Sequence, residues 1–334
     1  MRALVAHGPG SYAVQEVPEP ELPAGGLLVD VEAAGVCAAD RMLWTGRHPW
    51  GDLPWPFVPG HELLGRVVAS DRDDVAVGTR VTAEVKVPCG ACAMCRRGRT
   101  HLCAGGPHLG SGIPGAFAER LALPAGALVH PVPHGLPREV AVLAEPAACA
   151  VHAVQRGGVR PGDDVLVWGL GPVGALAALA ARSAGAGRVR VVVRRPAKGG
   201  LAASLGLVPV LLDEVGPSPA DGADAPDVVL ECSGDAGSAV RALDVVAPGG
   251  VVVLYSVYTE PVGLDLNVLA EHKGIDLRGG HLAPGAFPAA IALLSDPALS
   301  DVLSEIVTEA RPLTEFRAAL EPSKTPRLKE VLVP

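Results

Sequence analysis

The chain lacks a basic excess: across 334 residues Lys and Arg total 28 against 36 Asp and Glu, a net charge of -8. Holding a polyphosphate needs a positive footprint, so this balance argues against a nucleic-acid surface. No apolar run free of charge and glycine is long enough to span a bilayer. Met1-Arg2-Ala3-Leu4 opens a short strand-like segment, without the longer apolar core of a signal peptide. A soluble, cytoplasmic protein with neither nucleic-acid nor membrane partner is expected. A disulfide framework is missing too. The seven cysteines are an odd number, and four of them crowd into fifteen residues, which suits metal binding under reducing conditions.

What the chain does have is length and apolar content, about half of its residues, more than one ordinary core uses; two domains are expected. Up to about residue 150, short apolar runs such as Leu27-Leu28-Val29-Asp30-Val31 and Gly65-Arg66-Val67-Val68 are separated by turn residues, the pattern of a compact β-barrel-like domain. After Val159-Arg160-Pro161-Gly162-Asp163 the pattern changes. Strand-like runs alternate with alanine-rich helical stretches to about residue 280, which predicts an α/β domain on a parallel sheet.

Two groups of residues suit metal ions. Cys89, Cys92, Cys95 and Cys103, spaced Cys-x2-Cys-x2-Cys-x7-Cys, can close around one tetrahedral zinc with no open position, the form of a structural site. An iron-sulfur cluster would use the same thiolates. Arg96, Arg97 and Arg99 beside them read as a solvated loop face. The second group is Cys37, His61 with Glu62, and Glu145. Thiolate, imidazole and carboxylate suit a zinc that keeps a position open for water or substrate, although His61 or Cys37 alone would read as core.

A cofactor signal follows. Val165-Leu166-Val167-Trp168 runs into Gly169-Leu170-Gly171-Pro172-Val173-Gly174 and then into helix-forming Ala175-Leu176-Ala177, the strand, Gly-x-Gly-x-x-Gly turn and helix that hold a dinucleotide pyrophosphate. About twenty residues on, where an NAD site presents a carboxylate to the ribose, the chain has Val193, Arg194 and Arg195, with Lys198 nearby. Guanidinium groups in place of that carboxylate favour a 2′-phosphate, so NADP(H) is expected over NAD(H).

Gly60-His61-Glu62-x-x-Gly65, the four-cysteine loop and the glycine turn, in this order, resemble the zinc-dependent medium-chain alcohol dehydrogenases over essentially the whole chain. Glu145-Pro146 and Glu231-Cys232-Ser233-Gly234 resemble the sorbitol, or polyol, dehydrogenase branch. Tyr255 to Val262 and Gly280-His281-Leu282 are similar to bacterial erythritol or threitol dehydrogenases. The resemblance implies a GroES-like β-barrel catalytic domain over 1–150, completed by 282–334, and a doubly wound Rossmann domain over 151–281. It implies two zinc ions per chain, a catalytic one on Cys37, His61 and Glu145 with Glu62 as a direct, water-mediated or exchanging ligand, and a structural one on the four cysteines. It makes Asp40 the support of the ligand histidine, adds Ser233 to the cofactor residues, and implies a homodimer or homotetramer assembled through the Rossmann domains. Ala247 to Leu254 is apolar enough to extend a sheet across such a subunit boundary.

One departure stands out: Ala39 and Met42 occupy positions where that family usually has Ser or Thr and often His as a proton relay, leaving Glu62, Glu145 or His48 to replace it. Trp44, Trp50, Trp55 and Phe117 are candidate pocket walls, His281 a candidate polar contact, and Cys149 and Cys232 core thiols. The expected reaction is interconversion of a secondary alcohol, polyol or cyclitol, and a ketone by hydride transfer to or from NADP(H). Alternatives are a biosynthetic amino- or deoxy-cyclitol dehydrogenase or ketone reductase, a zinc-free quinone or enoyl reductase, and a non-catalytic NADP-binding sensor.

Overall fold

Along Leu27–Gly35, Leu27, Val29, Val31 and Ala33 are buried while Leu28, Asp30 and Glu32 remain partly exposed, the period-two pattern of a strand with one face on a core. In the computed structural model this strand is central to a seven-stranded sheet. It pairs antiparallel with Glu62–Ser70, Arg120–Leu123 and the C-terminal strand Lys329–Val333. Val307–Pro312 extends the sheet beyond Lys329–Val333, and Arg80–Ala83 followed by Val129–Pro131 extends it beyond Glu62–Ser70. A hairpin of Arg2–Gly8 with Ser11–Glu16 is separate from it. Leu27, Leu63, Phe117, Leu121 and Leu123 are among the buried residues of the core. The structure describes residues 1–219, 222–321 and 328–334. The unit containing this sheet comprises Met1–Glu145, Ala283–Ser300 and Val307–Pro334.

The second unit comprises Pro146–Leu282 and Asp301–Ile306. Its six strands are all parallel, in the order Val208–Leu211, Arg188–Val193, Asp164–Trp168, Val228–Glu231, Val251–Leu254, Asp276–Gly279. Numbered along the chain this is 3-2-1-4-5-6, the doubly wound Rossmann order, which puts a switch point beside the first strand. The helix Pro172–Ser183 is alanine-rich because it lies close against the sheet: from Gly174 to Ala181 every residue is buried. One expectation is corrected here. Val251–Leu254 is paired on both sides, so the apolar run Ala247 to Leu254 offers no free edge; the edge strand on that side is Asp276–Gly279, whose Asp276 and Arg278 pair with each other. Polar side chains on an edge discourage further pairing.

Candidate active site

The donors around Cys37 meet at the end of two paired strands. Gly35 lies opposite Glu62, so Cys37, two residues past one strand end, comes beside His61, one residue before the other. Gly60 makes the approach possible. Its φ is +94°, and a Cβ there would meet the Phe117 ring at 2.6 Å, so a side chain would be strained and crowded at once. Cys37 caps the helix Ala38–Thr45, and its N–H donates to Asp40 Oδ2 at 2.8 Å. The other Asp40 oxygen faces His61 Nδ1 at 3.9 Å, beyond hydrogen-bond length, and has no hydrogen-bond partner among the described residues. Burial raises the Asp40 pKa, while His61 and the Cys37 N–H oppose the rise.

Ligand atoms of Cys37, His61 and Glu62 all lie within 4.8 Å of one another. Burial disfavours a charged His61, yet Asp40, Cys37 and Glu145 raise its pKa well above the ordinary value. The pocket is thus anionic, and the donor set of thiolate, imidazole and carboxylate fits zinc. Glu145, buried in the first turn of the helix Ala144–Gly157, is not one of those three clustered donors, although its charge acts on both His61 and Lys329. Lys329 escapes sequence reasoning altogether. From the C-terminal strand its ammonium donates to Glu62 Oε1 at 2.6 Å, to Glu62 Oε2, and to Val36 O at 3.2 Å, with both side chains only 1% exposed. The only hint in the sequence is a Lys-Glu pair inside the apolar run Leu328 to Val333.

Cys89, Cys92, Cys95 and Cys103 form the other cluster. Their sulfurs stand 4.0 Å (Cys89 to Cys95), 3.6 Å (Cys92 to Cys95) and 3.9 Å (Cys92 to Cys103) apart. A tetrahedron with zinc-sulfur bonds of about 2.3 Å has edges of about 3.8 Å, so these three edges match a zinc site and the four thiols fit the ion. The Cys89 N–H, donating to Cys103 Sγ at 3.3 Å, helps pull that thiol down to about 6.

Among the candidate pocket walls, Phe117 is fully buried and Trp44 nearly so; Tyr12 stands edge-on to Trp44 at 5.0 Å. Trp55 stacks on Phe57 at 4.6 Å. Trp50 is exposed and stacks on His48 at 5.8 Å.

In the parallel-sheet unit, Gly169 and Gly171 follow the first strand, and Gly171 caps the helix that Pro172 and Val173 begin. No side chain caps this N-terminus, and a Cβ on Gly171 would meet nothing within 4 Å. Gly174 is the opposite case: a Cβ there would sit 2.0 Å from Gly169 O, so glycine is what lets helix and turn close up. Free amides at such a turn suit a phosphate. Lys198 Nζ donates to Leu170 O at 2.9 Å, tying the turn to the helix Pro196–Ser204. Val193 ends its strand buried, while Arg194 and Arg195 are exposed just beyond it. Ser233 donates through N–H and Oγ to Glu231, which is buried and also accepts from Tyr258 OH. Burial first, then Glu231, raises the Tyr258 pKa. In the same unit His152 Nδ1 stands 2.8 Å from Leu282 O and 3.1 Å from Tyr255 OH.

A barrel-type sheet carrying two zinc-compatible clusters, joined in one chain to a Rossmann unit, defines a zinc-binding dehydrogenase. Residues 23–134 match the alcohol dehydrogenase GroES-like domain family and residues 172–296 the zinc-binding dehydrogenase family. The chain belongs to the zinc-dependent medium-chain alcohol dehydrogenases and is an enzyme of that class. It is 36% identical to the erythritol/L-threitol dehydrogenase of Mycolicibacterium smegmatis, over 96% of this chain and 93% of that protein. It is 32% identical to the D-altritol 5-dehydrogenase of Agrobacterium fabrum, over 95% and 94%. A Sinorhizobium meliloti 1021 structure described as a zinc-binding dehydrogenase, bound to NADP, superposes with a TM-score of 0.90 at 28% identity, covering 100% of this chain and 99% of that one. No helix among the described residues is long and apolar enough to cross a membrane.

Proposed function

We propose that the enzyme interconverts a secondary alcohol of a polyol or cyclitol with the corresponding ketone, using NADP(H) in preference to NAD(H). The carrying observation is the meeting of half-buried Cys37 and His61 with buried Glu62, their ligand atoms within 4.8 Å of one another. Two polyol dehydrogenases among its relatives support the substrate class, and the NADP bound to the similar Sinorhizobium meliloti structure supports the cofactor.

Cys37 and His61, with Glu62 or Glu145 as the carboxylate, are the proposed holders of a catalytic zinc, which would supply Lewis acidity toward an alcohol or carbonyl oxygen. Cys89, Cys92, Cys95 and Cys103 hold a structural one. Asp40 fixes the Cys37 backbone and faces the His61 ring, a positioning role. Lys329 holds both Glu62 oxygens, so that carboxylate is oriented before any ligand arrives. With Ala39 and Met42 unable to move a proton, Glu62, Glu145 or His48 receives it. Gly169, Gly171 and Gly174 with Pro172 and Val173 cradle the pyrophosphate, Ser233 borders that turn, and Arg194, Arg195 and Lys198 make the ribose end electropositive. The domain division 1–150 with 282–334 against 151–281, a cytoplasmic location and a homodimer or homotetramer complete the reading.

The test is reduced-nicotinamide absorbance with zinc-loaded protein, NADP and NAD in parallel, and tetritols, pentitols, hexitols, inositols and simple secondary alcohols. Polyol turnover with NADP supports the whole proposal. Turnover with NAD alone removes the role given to Arg194 and Arg195, and silence on every alcohol and the matching ketones removes the substrate class.

A further inference from the structure

Arg194 has a partner that the sequence did not suggest. Its Nη2 pairs with Asp235 Oδ2 at 2.9 Å, across the switch point from the turn that follows the strand Val228–Glu231. We propose that Asp235 is a specificity-determining residue of the cofactor site, its carboxylate competing with the 2′-phosphate of NADP for the Arg194 guanidinium. This rests on the reading that Arg194 and Arg195 face that phosphate.

The carboxylate is the fixed member of the pair. Asp235 Oδ1 accepts from Ser238 N at 2.9 Å and from Ser238 Oγ at 3.1 Å, capping the helix Ala236–Val245. Its own N–H donates to Ser233 Oγ at 3.2 Å, and Ser233 is in turn anchored on buried Glu231. Arg194, with its side chain 66% exposed on a long stem, is the member that can move. The Ser238 N–H, reinforced by Arg194, lowers the Asp235 pKa, which keeps it anionic at neutral pH. A 2′-phosphate that recruits Arg194 therefore has to draw it away from an anchored carboxylate. NAD, with a ribose hydroxyl in place of that phosphate, leaves the pair intact. Asp235 thus narrows the preference for NADP that the two arginines create.

The test is calorimetric titration of zinc-loaded protein with NADP+ and NAD+, for the parent, Asp235→Asn, Arg194→Ala, Arg194→Ala/Arg195→Ala and Arg194→Ala/Asp235→Asn. Asparagine keeps the helix-capping oxygen and removes the charge. Asp235→Asn should tighten NADP+ about two- to fivefold, the scale of one exposed ion pair that no longer has to be broken, and change NAD+ by less than about twofold. The gain should shrink with added salt and vanish in the Arg194→Ala background. Equal shifts for both cofactors, a weaker NADP+ complex, or a gain that survives without Arg194 would overturn the proposal. If Asp235→Asn does nothing while loss of both arginines lowers the NADP+ to NAD+ affinity ratio, Asp235 is excluded and the phosphate reading stands. If the ratio ignores the arginines, both fall.

Discussion

Replacing Lys329 by Met should be the most destabilising single change at the metal site. Lys329 and Glu62 are each 1% exposed, and the ammonium bridges both carboxylate oxygens. Removing one member of a buried pair leaves the other charge uncompensated, a loss of about 3–5 kcal/mol, with up to about 1 kcal/mol more for the Val36 carbonyl that loses its donor. For a domain of this size each kcal/mol is worth about 2–4 °C, so melting should fall by about 6–24 °C. The assay is thermal unfolding by circular dichroism of Lys329→Met, Glu62→Gln and the double variant, each zinc-loaded and chelator-treated. The double variant should recover most of the loss, because no lone charge remains. Zinc should recover part of it in Lys329→Met, because a cation beside Glu62 substitutes for the ammonium. A Lys329→Met protein melting within about 2 °C of the parent, or a double variant melting as low as the single, would refute this reasoning.

Further outcomes separate the remaining roles. Cys103→Ser should cost one zinc equivalent by atomic absorption and lower the melting temperature. Cys37→Ser should also cost one equivalent but reduce turnover by more than about a hundredfold with little change in melting; the reverse pattern would exchange the two sites. Gly174→Ala places a Cβ 2.0 Å from Gly169 O, and overpacking of about 1–3 kcal/mol should weaken NADP+ and NAD+ together in a binding titration. Unchanged affinity for both would mean that the turn does not hold the pyrophosphate. Glu119 accepts from the Arg2 backbone N–H and guanidinium, which lower its pKa. A depressed carboxyl stabilises above its unfolded pKa and loses that stabilisation as pH falls through the folded one. Glu119→Gln should therefore cost about 0.5–1 kcal/mol in urea unfolding at neutral pH, after allowance for solvent screening, and almost nothing at pH ~2. An equal cost at both pH values would put the effect in packing.

Local signals were legible and distant ones were not. The four cysteines lie in one loop, so their spacing alone predicted a cluster whose sulfurs stand 3.6–4.0 Å apart along the measured edges. The glycine turn between the strand Asp164–Trp168 and the helix Pro172–Ser183 is equally local, and the Rossmann strand order follows from the same alternation. Cys37 and His61 were readable because their strands pair directly. Lys329 was not, since 267 residues separate it from Glu62 and only sheet topology brings the last strand beside Leu27–Gly35. Asp235 is hidden for a related reason: the sequence that follows the arginines' own strand does not contain it, and its carboxylate reaches Arg194 from the turn after a different strand. The misplaced sheet edge came from hydropathy. Apolar Val251–Leu254 is apolar because strands flank it on both sides, and an edge is better recognised by the charges on Asp276 and Arg278.

The treatment of two buried carboxylates shows why the cluster of Cys37, His61 and Glu62 selects a cation. Glu231 is fully buried beside neutral donors, taking hydrogen bonds from Ser233 N, Ser233 Oγ and Tyr258 OH. Such donors satisfy an anion without requiring a counter-charge. Around Glu62 the arrangement differs: Asp40 and Glu145 are buried in the same region, Cys37 adds a thiol, and Lys329 is the buried ammonium among the described residues that answers them. One ammonium cannot balance that many acidic groups. Protonating His61 is the internal remedy, and the rise in its pKa registers the imbalance. A divalent ion is the better remedy, since it neutralises two charges and takes its ligands as thiolate, neutral imidazole and carboxylate. Zinc uptake should accordingly release protons, measurable as a dependence of binding enthalpy on buffer ionisation heat near neutral pH. An uptake free of proton release would mean that the imbalance is met elsewhere.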